Sequence, residues 1–439
     1  MVECFAYNAN VIGSNPILPN MTKASATKTA RFLKRWKLLK SRFSQLSLLN
    51  FPRASKAYVV DIINNHIVVY PTPLCLTYAW SFGSLAGLTL SIQITSGLLL
   101  ACHYTAHLDY AFASIEYIMR DVPNGWLVRY IHANGASMFF MVVYSHICRG
   151  LYYGSYMKPR EYVWCSGVIL FLLMMATAFT GYVLPWGQMS FWGCTVITSM
   201  VTAVPFVGKS IAEWVWGGYI IKNPTLKRIY IIHFTLPFVM VGLTFLHLAL
   251  LHRVGSNSPI GSDTGVDDIP FYPYFFYKDL FAFSCYLLVF AVFVFYFPNV
   301  LNHPDNCVQA DYIRTPPHVV PEWYFLPFFT ILRSIPYKAT GIIAMLGSIL
   351  VLLIIPFTNT SWIRNTTYRP VFRICFCIFI ITFYALMYFG TCSCEVQMYK
   401  TCGLIATVIY FMFFFLSFPL VGKFELWLGL DGLIPKRTK

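Results

Sequence analysis

Charged residues are scarce in this sequence. Only 11% of its 439 residues are Asp, Glu, Lys or Arg, whereas 57% are hydrophobic. Ordinary soluble domains carry about 25% charged residues, so this composition excludes a soluble globular protein. The sequence is that of an integral membrane protein.

The 13 cysteines include no C-x-x-C pair. This absence excludes zinc ribbons, thioredoxin-type redox motifs and covalently attached c-type haem. Cys375 and Cys377 form a C-x-C pair in an apolar run, as Cys392 and Cys394 do beside one. For these we expect the ordinary role of small hydrophobic side chains in helices.

Acidic residues are nearly absent from the first 60 positions, which hold ten Lys or Arg and one acid, Glu3. This arm is similar to a transit peptide, but we expect it to be retained. In so apolar a chain its expected partners are anionic membrane lipids or a neighbouring subunit, and no nucleic acid.

Long uncharged runs dominate the remaining sequence, and eight of them can cross a bilayer core of about 30 Å. They are residues 76–102, 130–148, 162–207, 229–251, 280–304, 339–363, 374–394 and 401–422. Because Pro185 and Gly187 interrupt the third run, its helix should end near Leu184, and short interfacial helices and loop should follow up to Asn223. We predict an all-α membrane protein with eight transmembrane helices.

The distribution of Lys and Arg orients these helices. An even number of spans puts both termini on one side, and the bias of basic residues makes it the inner side. The connections 185–223 and 302–338 then lie on the outer face and the connection 252–277 on the inner face. Connections this long within a bundle are usually functional.

Four intramembrane histidines repeat one spacing. His132 and His146 in the second run are 14 residues apart, as are His233 and His247 in the fourth. Fourteen residues make about four helical turns and rise about 21 Å, so each pair lies on one helix face. The two helices run parallel, so His132 should face His233 and His146 should face His247.

Two facing imidazoles predict a metal centre. Zinc normally takes four ligands, whereas haem brings four equatorial nitrogens and needs only two axial ligands. Glycines that leave room for a flat macrocycle repeat the same spacing in the first and third runs: Gly83 and Gly97, then Gly167 and Gly181. The first four helices should therefore form a bundle around two stacked b haems.

Two arginines lie one turn outboard of histidines of the second run. Arg129 precedes His132 by three residues, and Arg149 follows His146 by three. The symmetry favours contact with the anionic haem propionates, and snorkelling of each arginine to the membrane surface is the alternative.

Several segments match one known family. They are HANGASMFF from His132, GYVLPWGQMSFWG from Gly181, HFTLPF from His233, GSNSP from Gly255, Pro304-Asp305-Asn306, and P-E-W-Y from Pro321 to Tyr324. On these motifs residues 70–430 resemble cytochrome b, the di-haem core subunit of respiratory complex III. We expect a di-haem four-helix bundle with its interfacial helices at 71–254 and the remaining helices with the P-E-W-Y loop at 255–439. The basic extension at 1–70, expected on the inner side, is longer than the family pattern requires.

The resemblance also implies the sites. His132 and His233 would hold a low-potential outer haem, and His146 and His247 a high-potential inner haem. The outer quinol pocket would comprise Tyr182, Met189, Gly193, Pro321, Glu322 and Tyr324, with Glu322 accepting a quinol proton. The inner quinone pocket would comprise Ser84, His252, Ser256, Lys278 and Asp279.

The implied activity is that of ubiquinol:cytochrome c oxidoreductase. One quinol electron would pass to a Rieske iron-sulfur protein and the other across the membrane to quinone, contributing to proton translocation. Cytochrome c1, further complex III subunits and a second copy of the complex are the other implied partners. The implied location is the mitochondrial inner membrane, with a bacterial plasma membrane as the alternative.

Two other functions stay open from the residues alone. A di-haem electron conduit, or a haem-bearing membrane anchor, would need the four histidines but not Glu322, His252 and Asp279. Three positions also depart from the family pattern: Phe329 replaces a usual Tyr, Arg253 a usual acidic or neutral residue, and Ser81 a usual Asn.

Overall fold

The structure, a computed structural model, describes residue 58 and residues 60–261, 267–393 and 395–430. The predicted basic extension therefore lies mostly outside the described residues, and its place on the inner membrane side stays a prediction. By its internal contacts the chain divides into two units.

The smaller unit comprises Met1–Tyr70 and Ile269–Pro273. Its described part contains a π-helical turn, Asn64–Val68. The carbonyl of Val68 accepts a hydrogen bond of 3.1 Å from the backbone N–H of Tyr272. The larger unit comprises Pro71–Asp268 and Tyr274–Lys439, and every predicted site residue lies in it.

Thirteen α-helices lie wholly within the described residues, with two three-residue strands in connecting segments. The helices are α1 Phe82–Ala101, α2 Ala111–Arg120, α3 Gly125–Tyr152, α4 Glu161–Val183, α5 Gln188–Met200, α6 Gly208–Trp216, α7 Asn223–Val254, α8 Tyr274–Phe295, α9 Leu326–Ser334, α10 Lys338–Thr358, α11 Pro370–Thr391, α12 Gln397–Met412 and α13 Gly422–Trp427. The strands are β1 Pro71–Pro73 and β2 Asp268–Pro270. A 3₁₀ turn, Tyr78–Ser81, precedes α1, and a π-helix, Phe413–Val421, joins α12 to α13.

Seven helical stretches within the described residues are long and apolar enough to cross a membrane. They are Tyr78–Ala101, Glu161–Val183, Asn223–Val254, Tyr274–Phe295, Lys338–Thr358, Pro370–Thr391 and Gln397–Trp427. They coincide with seven of the eight predicted runs. The remaining run forms α3, one continuous helix of 28 residues, which Arg129, Asn134 and Arg149 make more polar; its crossing of the membrane stays a prediction.

The first four long helices share one core. Helix α1 packs on α3, and α4 packs on α7. One cluster of buried side chains joins Leu90 of α1, Phe140 of α3, Met174 of α4 and Met240 of α7. Leu90, Met174 and Met240 each lie seven residues from both members of the 14-residue pair on their helix. An apolar layer therefore separates the two levels at which the predicted histidines and glycines lie.

Helices α9–α12 and the π-helix enclose a second core, rich in phenylalanine. The rings of Phe379 and Phe413 stack there at a centroid distance of 4.4 Å. A buried ion pair closes this core, because Arg369 Nε donates to Glu425 Oε2 at 2.9 Å. The other carboxylate oxygen of Glu425 accepts from the backbone N–H of Phe372 at 3.0 Å, which fixes the first turn of α11.

The connection after α4 contains the short helices α5 and α6, as predicted. The loop before α9 docks on the start of α5, where Asn306 Oδ1 accepts from both the backbone N–H and the hydroxyl of Ser190 at 2.9 Å. The backbone N–H of Gln188 donates to Val308 O at 2.9 Å. The Pro-Asp-Asn motif thus fixes the start of α5 to the connection that also carries Glu322.

One predicted boundary was wrong. The uncharged run 280–304 placed the start of this helix just after Asp279, but α8 begins at Tyr274, so Asp279 lies in its second turn. The search for uncharged runs could not extend past the adjacent charges of Lys278 and Asp279. The aromatic residues before them nevertheless continue the helix.

Candidate functional site

The imidazoles of His132 and His233 face each other between α3 and α7. Their ring centroids are 6.2 Å apart and their planes are inclined at 89°. Metal–nitrogen bonds of about 2 Å, with roughly 1.1 Å from ring centre to nitrogen, place the centroids of two coordinating imidazoles about 6 Å apart. The separation therefore fits two axial ligands of one metal ion.

Hydrogen bonds at the far ring nitrogens orient these two side chains. His233 Nδ1 donates to the carbonyl of Thr177 at 2.8 Å. Because a carbonyl can only accept, the proton is on Nδ1 and the Nε2 lone pair is left for a ligand bond. His132 Nδ1 lies 2.9 Å from the hydroxyl of Ser96. Such second partners are the rule for histidines that bind metals.

His146 and His247 form the second level. His247 Nδ1 lies 2.8 Å from the hydroxyl of Ser166, and His146 lies within electrostatic reach of His247. Arg149 Nη2 lies 3.3 Å from His146 Nδ1, and its guanidinium lies 5.1 Å from the ring of Trp80. The buried Nε of Arg149 has no hydrogen-bond partner among the described residues, so an anionic group here would satisfy it.

Each of the four predicted glycines faces the Cε1 atom of one histidine. A Cβ atom added to Gly83 would lie 3.4 Å from His146 Cε1, and one added to Gly97 would lie 3.1 Å from His132 Cε1. A Cβ atom added to Gly167 would lie 3.3 Å from His247 Cε1, and one added to Gly181 would meet His233. A side chain at these positions would push on the imidazole. The glycines therefore keep the histidines in place as well as leaving room for a planar group.

The donor set fits haem iron. In the ranges that the structure describes, no group of three or more His, Cys, Asp or Glu side chains could hold a metal ion. Paired imidazoles on two helices suit a group that needs axial ligands only. Arg129, half-buried one turn before His132, and Arg149 supply cations beside the two levels.

Aromatic contacts anchor the P-E-W-Y loop on α3. Trp323 Nε1 donates to the hydroxyl of Ser137 at 3.0 Å, and the Tyr144 hydroxyl donates to the carbonyl of Tyr324. The ring of Tyr324 stacks on Phe140 at 4.0 Å with an interplanar angle of 4°. Tyr324, predicted as a site residue, is therefore a positioning residue in the core. The loop holds Glu322 at a fixed place.

Glu322 is buried, with 8% of its surface exposed. Burial disfavours the charged form and raises the pKa of its carboxyl from 4.5 to about 7, while the Tyr182 hydroxyl and the His303 backbone act in the opposite direction. Glu322 Oε1 and the Tyr182 hydroxyl are both buried without a hydrogen bond of normal geometry to any described residue. A polar ligand between them would satisfy both.

Helix α5 forms another side of this site. The Ser190 hydroxyl donates to the carbonyl of Tyr182 at 2.7 Å, and Met189 is fully buried beneath. A Cβ atom on Gly193 would meet no atom within 4 Å, so the space above it is open. The structure brings Tyr182, Met189 and Glu322 to the end of the bundle that holds His132 and His233.

The predicted inner residues lie at the opposite end. The ammonium of Lys278 donates to the carbonyl of Leu76, and the Ser84 hydroxyl donates to the carbonyl of Ser81 at 2.9 Å. Arg160 Nη2 donates to the carbonyl of Ser256 at 3.1 Å. The Lys278 contact joins the start of α8 to the segment before α1, and the Arg160 contact joins the start of α4 to the segment after α7.

His252 and Asp279 complete the predicted inner set. His252 lies in the last turn of α7, before Gly255, whose φ of +77° ends the helix. Asp279 is half-buried next to Lys278. Both stand near the ends of their helices on the predicted inner side, and their roles stay predictions.

Sequence reasoning missed the residues that orient the histidines. Ser96 precedes Gly97 and Ser166 precedes Gly167, so a repeated Ser-Gly pair was the available signal. No signal pointed to Thr177, which contributes its backbone carbonyl, since every residue offers that group. Trp80, whose ring lies beside the guanidinium of Arg149, was missed because it precedes α1 and is not on a helix that carries a histidine pair.

Comparisons with known proteins show the family to which the chain belongs. Residues 67–255 match the family model Cytochrome b/b6/petB, and residues 309–411 match Cytochrome b(C-terminal)/b6/petD. The chain belongs to the cytochrome b family. Cytochrome b of Phytophthora megasperma is 57% identical over 376 residues, which cover 86% of this chain and 98% of that protein. Cytochrome b of Solanum tuberosum is 51% identical over 382 residues, which cover 87% and 95%.

A solved structure agrees with these relatives. The chain is similar to a chain of a hyperthermophilic respiratory Complex III with a TM-score of 0.79 and 36% sequence identity, over 84% of this chain and 98% of that one. The predicted family and its activity are confirmed: cytochrome b is the core redox subunit of the ubiquinol–cytochrome c reductase and binds b haem. The chain is therefore a membrane protein of a respiratory complex.

Proposed function

We propose that this cytochrome b holds two b haems, oxidises a quinol at its outer pocket and reduces a quinone at its inner pocket. The observation that carries the proposal is the two-level arrangement of histidine pairs. Each histidine faces a glycine, and a separate polar site adjoins each level. Glu322 and Tyr182 adjoin the first level, and Ser84 and Lys278 adjoin the second.

The haem ligands would be His132 with His233 and His146 with His247. Arg129 and Arg149 would neutralise the propionates. The Nε of Arg149, which has no hydrogen-bond partner in the described part of the chain, supports this role. When bound, the two haems supply one-electron carriers at two depths separated by about 21 Å of helix rise. The buried layer of Leu90, Met174 and Met240 excludes water between these depths.

At the outer pocket Glu322 acts as the general base for the quinol hydroxyl. A general base is most effective when its pKa lies near the working pH, and burial has raised the pKa of this carboxyl to about 7. Trp323 and Tyr324 hold the loop on α3, and Pro321 shapes it. The open space at Gly193 admits the quinol ring, and Met189 and Tyr182 bound the pocket.

At the inner pocket His252 and Asp279 would donate the protons that quinone reduction consumes. Lys278 is fixed by the carbonyl of Leu76 and supplies a cation beside the quinone oxygens. Ser84 and Ser256 lie at the same end of the bundle and contribute polar contacts. Histidine suits this task because its charge changes near neutral pH.

The surroundings of the chain follow from the same proposal. Helix α3 crosses the membrane as the eighth span, since both of its histidines must reach partners on α7. A Rieske iron-sulfur protein receives the first electron, and cytochrome c1 and further subunits complete a dimeric complex. Its location is the mitochondrial inner membrane.

An optical redox titration of the purified complex tests the haem assignment. We expect two one-electron b-type components in the natural complex. His247→Leu should abolish one component and leave the other, because each pair serves one haem. A single component in the natural complex would refute the two-haem arrangement.

The Glu322→Gln variant separates quinol chemistry from a simple electron conduit. It should keep both b-type components while losing quinol-dependent haem reduction. Unchanged quinol oxidation in this variant would favour the conduit and refute the assigned role of Glu322.

A further inference from the structure

Helix α9 follows the P-E-W-Y loop directly. A 3₁₀ turn, Trp323–Phe325, begins immediately after Glu322 and leads into α9 at Leu326. Within this turn the backbone N–H of Phe325 donates to the carbonyl of Glu322 at 2.9 Å. Because Glu322 lies only four residues before the start of α9, a displacement of α9 also displaces Glu322. The contacts that hold α9 therefore help to decide where this carboxyl group lies.

Glycines let two neighbouring helices approach α9 closely. A Cβ atom added to Gly390 of α11 would lie 2.8 Å from Leu326 Cβ, and one added to Gly341 of α10 would lie 2.5 Å from the carbonyl oxygen of Leu332. Both distances are too short for a side chain to be accommodated without a shift of α9. Helix α9 thus packs directly on the backbones of α10 and α11.

Thr330 lies in the middle of α9, with 1% of its surface exposed. Its hydroxyl donates to the carbonyl of Leu386 in α11 at 2.7 Å, a shorter distance than the 3.0 Å to the carbonyl of Leu326 in its own helix. Its methyl group faces α12, since a Cβ atom added to Gly403 would lie 3.1 Å from Thr330 Cγ2. The two branches of this side chain therefore hold α9 between α11 and α12.

We propose that Thr330 is a positioning residue for quinol oxidation, because its hydrogen bond to α11 sets the position of α9 and hence of Glu322. This inference rests on the proposed role of Glu322 as the general base. Trp323 and Tyr324 hold the loop on α3 from one side, and Thr330 holds the helix that follows it from the other.

The size of the effect follows from replacing the hydroxyl with a methyl group. Thr330→Val keeps the branched shape but places a carbon atom where the hydroxyl oxygen lies 2.7 Å from the Leu386 carbonyl oxygen. Close contacts between carbon and carbonyl oxygen measure about 3.3–3.6 Å, so valine should push α9 away from α11 by about 0.6–0.9 Å. A misplacement of about 1 Å can lower a catalytic rate about 100-fold.

Kinetics of the intact purified complex test the proposal. We expect Thr330→Val to lower kcat for quinol oxidation at least about tenfold and to change KM much less, because the pocket wall formed by α5 stays in place. Thr330→Ser keeps the hydroxyl and should keep the natural kcat. The matched control is Thr407→Val on α12. Thr407 is also buried, with 3% of its surface exposed, but its hydroxyl donates within its own helix, to Gly403 at 2.8 Å.

A second rate separates positioning from a general loss of structure. Quinol reduces haem through the inner pocket when an inhibitor blocks the outer pocket, and this rate should stay unchanged in Thr330→Val. Ser84 and Lys278 of the inner pocket lie at the other end of the bundle. Reduced-minus-oxidised spectra establish that each variant retains its haem.

An unchanged kcat in Thr330→Val, an equal loss in Thr407→Val, or an equal loss of haem reduction through the inner pocket would each overturn the proposal. If Thr330→Val does not assemble, Gly390→Ala decides by the same rates, since its added Cβ atom pushes on Leu326. Its control is Gly347→Ala on α10, where an added Cβ atom meets no atom within 4 Å. A fully active Glu322→Gln complex would refute the proposed base, whereas a fully active Thr330→Val complex beside an inactive Glu322→Gln would refute only the positioning.

Discussion

Replacement of Glu322 by glutamine tests whether burial has tuned a proton acceptor. Glutamine keeps the shape of the side chain but cannot take a proton in this pH range. In the structure burial raises the pKa of the Glu322 carboxyl from 4.5 to about 7. The ionised form, which accepts the proton, therefore forms as the pH rises through 7.

The expected pH dependence follows from that pKa. With a pKa of about 7, about 9% of the carboxyl is ionised at pH 6 and about 91% at pH 8, so the rate should rise roughly tenfold between them. A carboxyl with an ordinary pKa of 4.5 would already be ionised throughout this range and would give no such rise. Glu322→Gln should lower the rate about 100-fold or more and abolish the rise.

The assay is the initial rate of quinol-dependent cytochrome c reduction by the purified complex from pH 5.5 to 8.5 at saturating quinol. Reduced-minus-oxidised spectra establish that the variant retains its haem. Glu116→Gln, on the exposed surface of α2, is the control and should behave as the natural complex does. If Glu322→Gln keeps a rise with the same midpoint, another group accepts the proton and the role assigned to Glu322 is wrong.

Three further substitutions test other parts of the structure. Tyr182→Phe removes a hydroxyl that lowers the pKa of Glu322, so the rise in rate should move to higher pH. Gly97→Val should displace the facing imidazole, 3.1 Å from the added Cβ, and shift one b-type component in a redox titration, whereas Gly242→Val should not. Glu425→Gln leaves its arginine partner buried without a counter-charge and should cost about 3–5 kcal/mol of stability, measured by thermal unfolding of the complex.

Each of these three predictions has a control variant or a result that would contradict it. Gly242 has no atom within 4 Å of an added Cβ, so it controls for side-chain gain on a spanning helix. Glu116 pairs with Arg120 at the surface, and its replacement should change stability by less than about 1 kcal/mol. An unshifted pH dependence in Tyr182→Phe would show that the hydroxyl does not act on Glu322, and equal stability losses at Glu116 and Glu425 would contradict the importance of burial.

Much of the fold was predictable because a helix that crosses a bilayer needs a long run of uncharged, mostly apolar residues. Uncharged runs located seven helices that can span a membrane, and the 14-residue spacing located the facing histidines His132 and His233. The start of α8 was missed because charge alone marked the boundary. Charge also limits the recognition of α3 as a membrane span. A helix that holds charged residues near cofactor sites is less apolar than its neighbours.

The site was predictable in its residue types but less so in its contacts. Nothing in the P-E-W-Y motif shows that Trp323 and Tyr324 point into the core while Glu322 faces the pocket. That division depends on where Ser137 and Phe140 of α3 lie in space.

The equal spacing of the two histidines on α3 and on α7 also limits how this gene can vary. A single inserted or deleted residue between His132 and His146 would rotate one imidazole by about 100° relative to the other, so only one could still face α7. The same holds between His233 and His247. These intervals should tolerate substitutions but exclude changes in length, whereas the surface loops carry no such constraint.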